Sequence, residues 1–240
     1  MRLDKYLCEL NTGSRSQVRE LIRKGLVSVN GLVVRQADHK IEAEKDCVAV
    51  RGKELAYRKF VYYMLNKPQG VVSATQDNTA GTVTELLAAE GRKDLFPVGR
   101  LDKDTEGLLL LTNDGELAHR LLSPKKHVDK TYQVTIAHPL SKQDILQLEQ
   151  GVDIGENRLT LPARVEILSE NTIYLTIQEG KYHQVKRMLQ AVNNQVAALK
   201  RIRFGGIVLD ERLAPGDYRP LTLQEENCLQ ESSAQGNKIQ

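Results

Sequence analysis

The first part of the chain combines two patterns of apolar residues, one with the spacing of helices and one with that of strands. Helical spacing predicts a helix over residues 2–10 and a second over residues 15–24, for which Ser14 is a suitable N-cap. Asn30 and Gly31 then lie between two β-branched runs, which is a strong signal for a β-hairpin. We therefore expect a compact α/β unit, followed by a polar and charged linker at 52–59.

The rest of the chain has the patterns of a sheet combined with helices. Apolar runs or alternating positions predict strands at 60–65, 130–136, 163–168, 172–178 and 198–204. Helical spacing predicts helices at 82–90, 116–122, 141–149 and 184–192. The four leucines at 108–111 fit either a buried strand or a short core helix. Because strands outnumber helices and several neighbours look antiparallel, the predicted class is α+β.

Length and pattern together predict two domains and a tail. The chain has 240 residues, which is enough for one large domain or two of ordinary size. We place the N-terminal domain at 1–58 and the second domain at 59–230. Residues 231–240 are polar, and we expect them to be disordered.

Positive charge is concentrated in the N-terminal quarter of the chain. The net charge is only +3, but residues 1–58 hold twelve lysines and arginines against eight acidic residues. In the second predicted helix, Arg15, Arg19 and Arg23 recur at every fourth position and therefore lie above one another. Like charges at this spacing destabilise a helix slightly, and a bound phosphate backbone would offset their repulsion. This unit is therefore a candidate nucleic-acid-binding module.

Composition argues against several classes of protein. No segment has the roughly 20 apolar residues that a membrane span needs, and the N-terminus lacks the features of a signal peptide. The three cysteines are scattered, so neither a disulfide framework nor a zinc knuckle is predicted. The histidines lack metal-ligand spacing, and no Gly-rich phosphate loop or serine elbow is present. We expect a cytoplasmic protein without a zinc site, whose active site uses carboxylate, lysine, arginine and tyrosine side chains.

A polar loop directly before the four leucines carries the most chemistry, with an arginine, three carboxylates and a glycine within residues 99–107. The acids at 102, 104 and 106 begin like a calcium loop, but its twelfth position is Asn113, where a glutamate is required. The same acids approach an Asp-x-Asp-x-Thr phosphatase motif, in which Thr105 comes one position early. Metal-dependent phosphoryl transfer and a purely structural role for these acids are therefore alternatives at this point.

The N-terminal unit resembles the S4 family of RNA-binding domains. The resemblance rests on Arg2-Leu3-Asp4-Lys5-Tyr6-Leu7, on the helix that begins at Ser14, and on Val29-Asn30-Gly31. It implies that the second helix and the adjoining turns lie on structured RNA. The residues expected to contact RNA are Arg2, Lys5, Ser14, Arg15, Arg19, Arg23, Lys24 and Asn30.

The second domain resembles the pseudouridine synthases, and the S4 unit matches the subgroup that modifies ribosomal RNA. The matching segments are Lys67-Pro68-x-Gly70, Gly99-Arg100-Leu101-Asp102 with Gly107, Lys130-Thr131-Tyr132, and residues 179–189. The resemblance implies an enzyme that isomerises a uridine to pseudouridine without a cofactor or a metal ion. It also implies a catalytic domain with a largely antiparallel mixed sheet flanked by helices.

The resemblance assigns roles to single residues. Asp102 is expected to be the nucleophile, which attacks either the ribose C1′ or the uracil C6. Tyr132 is expected to stack on the uracil, and Lys186 to be the cation beside Asp102. Residues expected to bind the substrate or shape the site are Arg100, Lys67 and Arg187.

The resemblance also implies a partner and a substrate. It indicates small-subunit ribosomal RNA, with the target uridine flipped out of its stack. Large-subunit ribosomal RNA, or a ribosome-binding S4 protein without catalytic activity, are the alternatives. Nothing in the sequence requires a second subunit or a membrane, so we expect a monomer. His183 is assigned no role.

Overall fold

A computed structural model describes residues 1–10, 12–55 and 57–234, and within it the chain divides into two compact units. The first unit comprises Met1–Phe60 together with the short segment Ala89–Lys93. The second comprises Val61–Ala88 and the described chain from Asp94 onward. Each unit is described by itself below.

The first unit contains two helices and a small antiparallel sheet. Its elements are α1 (Leu3–Glu9), α2 (Arg15–Arg23), β1 (Val27–Val29), β2 (Leu32–Val33), β3 (Val48–Val50) and β4 (Lys53–Leu55), with the strands in the order β2-β1-β3-β4. Both predicted helices and the predicted hairpin are confirmed. The prediction of a linker at 52–59 is wrong for Lys53–Leu55, which pairs with β3. Two three-residue strands are too short to give a clear alternation of apolar and polar positions.

Local interactions explain why α2 begins at Arg15 and why the hairpin of β1 and β2 turns at Asn30 and Gly31. The Ser14 hydroxyl accepts from the Gln17 amide, and the Gln17 side chain accepts from the Ser14 amide, which completes a capping box. Asn30 and Gly31 both have positive φ, as the turn of a two-residue hairpin requires. The apolar faces of both helices are buried against β1 and β3 in one core.

The second unit contains one large sheet with helices around it. Its strands are β5 (Tyr62–Lys67), β6 (Phe96–Pro97), β7 (Glu106–Thr112), β8 (Lys130–Ile136), β9 (Arg164–Ser169), β10 (Thr172–Ile177), β11 (Val196–Phe204), β12 (Ile207–Val208) and β13 (Tyr218–Pro220). Its α-helices are α3 (Val83–Leu86), α4 (Gly115–Leu122), α5 (Lys142–Gln150), α6 (Gln184–Ala191) and α7 (Leu223–Ala234). Two short 3-10 helices lie at Ala88–Glu90 and Pro124–Lys126. Of the helices that the structure describes, none has both the length and the apolar character to cross a membrane.

The strand order of this sheet confirms the predicted class. The path through the sheet is β13-β5-β7-β11-β8-β10-β9, with β6 beside β7 and β12 beside β11. Its pairs are antiparallel, apart from the parallel pair of β7 and β11. The sheet is therefore mixed and largely antiparallel, within an α+β fold.

The four leucines at 108–111 lie in β7, so the choice between strand and helix is decided in favour of the strand. Leu109 and Leu111 join one buried apolar cluster, while Leu108 and Leu110 join another. Side chains alternate between the two faces of a strand, so a strand covered on both faces must be apolar at every position. The unbroken run of leucines is the consequence.

Three differences from the predicted elements have a physical reason. The expected tail is wrong for residues 231–234, because α7 continues to Ala234; residues 235–240 lie outside the described chain. The strands β6, β12 and β13 are two or three residues long, below the length at which a period can be recognised. Helix α7 is missed because its sequence has almost no amphipathic pattern.

Gly107 allows β7 to lie directly against β11. A Cβ atom at this position would stand 2.2 Å from the carbonyl oxygen of Arg201, and φ is +101°. We expect Gly107→Ala to lower the free energy of unfolding by about 3 kcal/mol or more, since both the collision and the backbone conformation are unfavourable.

Gly216→Ala is the matched control for this prediction, to be compared by denaturant unfolding. Gly216 has nearly the same φ, +99°, but a Cβ there meets no atom within 4 Å. It should lose only about 1–2 kcal/mol. Equal losses of unfolding free energy in the two variants would show that the close approach of β7 to β11 at Gly107 adds nothing to the cost of the substitution.

Candidate active site

The loop that carries Asp102 connects β6 to β7 and ends in a tight turn. The amide of Thr105 donates to the carbonyl oxygen of Asp102 at 3.0 Å, and β7 begins at the next residue. Asp102 therefore stands at the edge of the sheet, directly before its most completely buried strand.

Lys67, the last residue of β5, holds this loop through hydrogen bonds to its backbone. Its side chain is fully buried, and Nζ donates to the carbonyl oxygens of Asp102 at 3.0 Å, Thr105 at 2.9 Å and Pro68 at 3.1 Å. A buried ammonium group is stable only when its three donors are satisfied. Burial lowers the pKa of Lys67 to about 8, against the opposing effect of the nearby carboxylates. The loop backbone thus supplies the oxygens that keep this lysine charged.

The chain that follows β5 fixes the other side of the loop. The Gly70 amide donates to the Lys103 carbonyl at 2.8 Å. Ser73 Oγ donates to the Leu101 carbonyl at 2.8 Å and accepts from the Leu101 amide at 3.0 Å. Asp102 is therefore bracketed on both sides by residues whose backbone is held in place.

An open cleft lies over this loop and encloses about 430 Å³, including its solvent-filled mouth. Four of the predicted site residues line it together: Arg100, Asp102, Tyr132 and Lys186. Further lining residues include Thr105, Lys181, His183 and Gln184. The structure thus brings together residues that are up to 86 positions apart in the sequence.

The carboxylate of Asp102 has two basic neighbours. Lys186 Nζ lies 3.5 Å from Oδ2, and His183 Nε2 lies 3.7 Å from Oδ1. About a quarter of the Asp102 side chain is exposed, so the carboxylate faces the cleft while its neighbours approach from α6. The site therefore presents a negatively charged oxygen with a cation and an imidazole beside it.

Asp104 contacts Lys186 more closely than Asp102 does. Lys186 Nζ donates to both carboxylate oxygens of Asp104, at 2.6 and 2.8 Å. These bonds lower the pKa of Asp104 and, with the charge of Asp102, raise the pKa of Lys186 in spite of its partial burial. Lys186 therefore stays protonated, held by Asp104 at the side of Asp102.

Tyr132 lies on β8 directly opposite Arg201 on β11. Arg201 is almost completely buried, and its Nε donates to the Leu108 carbonyl at 2.8 Å. Burial lowers the pKa of Arg201, and the electrostatic interaction with the nearby Tyr132 phenol opposes that effect. Tyr132 is itself buried among apolar side chains, with part of its surface in the cleft. Arg201 was not predicted, since an arginine in a basic strand gives no sign of burial.

His183 has an unusual backbone that its neighbours enforce. It precedes α6 with φ +49° and ψ +34°, a left-handed conformation that costs an ordinary residue about 1–2 kcal/mol. The Gln184 side chain accepts from the Lys181 amide and donates to Glu179, which fixes the turn around it. The sequence prediction missed His183, because one histidine without a metal partner gives no distinguishing pattern.

Arg187 does not reach the cleft. Its guanidinium donates to Glu156 at 2.9 Å and to the carbonyl oxygens of Tyr182 and Ile154. Glu156 and Ile154 lie between α5 and β9, and Tyr182 lies directly before α6. These contacts therefore tie α6 to both segments and give Arg187 a role in the fold. Within the described part of the chain, no group of three or more His, Cys, Asp and Glu side chains could hold a metal ion.

The residues expected to contact RNA in the first unit fall into two groups. Arg15, Arg19 and Arg23 are exposed along α2, as predicted from their spacing. Asp4 pairs with Arg2 at 2.8 Å and with Arg19 at 3.5 Å, and Lys24 pairs with Glu20. By contrast, the Asn30 amide is bonded to Asp46 and to the Cys47 backbone. Asn30 and Ser14 thus serve the fold of this unit.

Comparison with family models identifies both units. Residues 61–191 match the model described as RNA pseudouridylate synthase, and residues 1–46 match the S4 domain.

Similar proteins extend this match to nearly the whole chain. An uncharacterized RNA pseudouridine synthase of Bacillus subtilis, YtzG, is 50% identical over 98% of this chain and 100% of its own. Ribosomal small subunit pseudouridine synthase A of Escherichia coli K12 is 46% identical over 94% and 98%, and that of Vibrio cholerae 44% identical over 94% and 97%. A crystal structure of a pseudouridylate synthase superposes with a TM-score of 0.67 at 41% identity, covering 95% of this chain and 99% of its own.

The lowered pKa of Lys67 makes stability depend on pH. The unfolded chain holds this proton up to about pH 10.5 and the folded chain only up to about 8, so the unfolded state binds more protons within that window. The Lys67 contribution to the free energy of unfolding must therefore rise with pH there, by about 3 kcal/mol at most.

The test is the difference in unfolding free energy between wild type and Lys67→Met from pH 7 to 10.5. Taking the difference cancels every other titrating group, and we expect it to move in favour of the wild type as the pH rises. A difference that stays constant would contradict the burial of a charged Lys67.

Proposed function

The chain belongs to the family of RNA pseudouridylate synthases, here with an N-terminal S4 domain, and we propose that it isomerises a uridine of small-subunit ribosomal RNA with Asp102 as nucleophile. The observation that carries the proposal is the rigid loop that sets the Asp102 carboxylate in the cleft, 3.5 Å from the Lys186 ammonium. The relatives named as small-subunit enzymes favour that RNA over the large-subunit RNA.

Asp102 acts as the covalent catalyst in this proposal. Breaking the bond between N1 and C1′ of the uridine and joining C5 to C1′ is an isomerisation, which consumes no co-substrate. The carboxylate attacks either C1′ or C6 and holds the substrate while the base turns. Lys186 places a positive charge beside the carboxylate and stabilises the negative charge that develops on the uracil. Asp104 keeps Lys186 in reach of both.

The remaining residues of the cleft bind the nucleotide. A uridine in structured RNA must leave its stack before a carboxylate can reach it. The Tyr132 ring offers a surface on which the extruded uracil can stack. Arg100 lies beside Asp102 in the same cleft and supplies a cation for the ribose-phosphate backbone.

The S4 unit supplies affinity for the surrounding RNA. Its exposed row of Arg15, Arg19 and Arg23 suits contacts with phosphates, which give affinity without reading the sequence. The choice of uridine then depends on the folded shape of the RNA and on the cleft. We propose a monomer that works in the cytoplasm, where ribosomes assemble.

Asp102→Asn tests the nucleophile. We expect it to lower the rate of pseudouridine formation by at least about 10⁴-fold, because an amide cannot form the covalent bond. Its affinity for the RNA should change little, which a filter-binding assay measures.

Asp104→Asn is the matched control, since it removes a neighbouring carboxylate of the same loop. It loses only a charge-assisted hydrogen bond to Lys186, so we expect the rate to fall about tenfold. Comparable rates in both variants would show that Asp102 is not the nucleophile.

Replacing Arg15, Arg19 and Arg23 together by Gln tests the RNA-binding face. For each phosphate that an arginine no longer neutralises, the slope of log K against log salt should become shallower by about 0.7–0.9. Lys45→Gln, in the same unit but paired with Glu42, should leave the slope unchanged. An unchanged slope in the triple variant would place the RNA elsewhere.

A further inference from the structure

One proton of the substrate has no acceptor in the mechanism so far, and the following argument rests on the proposed role of Asp102. When C5 of the uracil joins C1′, C5 still carries its hydrogen. That proton must leave before the C5–C6 double bond is restored. A positioned base commonly accelerates such a step.

The acceptor must lie next to the Asp102 carboxylate, whichever carbon that carboxylate attacks. In one case it attacks C1′, to which C5 then becomes bonded. In the other it attacks C6, which is bonded to C5 from the start. The C5 proton is therefore released within a few bonds of the Asp102 oxygens in both cases.

Two basic side chains of the described residues reach within 4 Å of that carboxylate, Lys186 and His183. Lys186 donates to both oxygens of Asp104, and these bonds hold its proton in place. The imidazole of His183 faces Asp102 through Nε2, which in a neutral ring can have a free lone pair. His183 is the better placed acceptor on both counts.

The surroundings of His183 keep the imidazole in this position. Its ring stacks on that of Tyr182, with centroids 3.8 Å apart and planes 20° apart. Its left-handed backbone is enforced by the Gln184 hydrogen bonds and by the start of α6, where its carbonyl accepts from the Arg187 amide. Strained residues held in this way concentrate at functional sites. Its side chain is about one-third exposed, on the wall of the cleft.

We propose that His183 is a further catalytic residue, which accepts the C5 proton at Nε2. The C5–H bond breaks, and its electron pair restores the double bond between C5 and C6. If Asp102 is bonded to C6, the bond from C6 to its oxygen breaks at this step and releases the carboxylate. If Asp102 attacked C1′, C5 has already displaced it from C1′, and the electron pair of the C6–N1 double bond moves to N1. N1, released from C1′, takes up a proton in turn. The imidazolium then returns its proton to N1 or to solvent, so the enzyme and the overall composition are unchanged.

The test compares His183→Gly with wild type on small-subunit ribosomal RNA transcribed with ordinary or 5-deuterated uridine and assembled with its ribosomal proteins. Glycine suits the left-handed backbone, so the fold is kept while the base is removed. We expect single-turnover pseudouridine formation to slow by about 10²–10⁴-fold. A primary deuterium isotope effect larger than that of wild type should appear, and added imidazole should restore part of the rate.

His127→Gly is the matched control, because His127 is also a left-handed histidine, with φ +47°, but lies outside the cleft. It should behave as wild type. A His183→Gly enzyme at the wild-type rate, or a slow one with no larger isotope effect and no rescue, would overturn the assignment. So would an enlarged isotope effect in Tyr132→Phe alone, which would identify the phenol as acceptor.

Failure of the wild type is a separate outcome. If it forms no pseudouridine in the RNA of either subunit, the proposed function falls, and the His183 assignment with it. If the wild type is active and Asp102→Asn is not, the proposed function stands, and the isotope effect decides on His183 alone.

Discussion

The buried ammonium of Lys67 is the interaction on which the geometry of the cleft depends. A charge in the interior must be matched by oxygens, and here the loop that carries Asp102 supplies them from its own backbone. Bending that loop away would leave both the lysine and several carbonyl groups without partners. The buried charge of Lys67 thus restrains the position of the Asp102 carboxylate.

The sheet gives this restraint a rigid base. Strand β7 is apolar on both faces and lies close against β11 because Gly107 has no side chain. Arg201, whose backbone meets Gly107, is also opposite Tyr132 on β8. The pairing of Arg201 with Gly107 and Tyr132 therefore positions both the strand that follows the Asp102 loop and the strand that carries Tyr132. Sites need such support, because small displacements of reacting groups lower the rate strongly.

Much of this arrangement could be predicted from the sequence, where signals were local. The helix that begins at Ser14, the Asn30-Gly31 hairpin and the leucine strand each follow from a few neighbouring residues. The family resemblance brought Asp102, Tyr132 and Lys186 into one site. Roles that depend on distant contacts could not be predicted: the burial of Lys67 and Arg201 depends on strands elsewhere in the chain, and His183 acquires its neighbour only when α6 packs near the loop. Arg187 shows the converse, since its charge suggested the site while its contacts belong to the fold.

The proposed function depends on a carboxylate positioned to isomerise a uridine, and loss of hydrogen from uracil C5 reports that reaction directly. We would therefore follow tritium release from small-subunit ribosomal RNA labelled at uracil C5, in the presence of the wild-type protein. We expect release that rises to one tritium per RNA molecule for each uridine modified and continues in excess chelator. Tight binding of the RNA of both subunits with no tritium released from either would contradict the proposed function and leave a protein that only binds RNA.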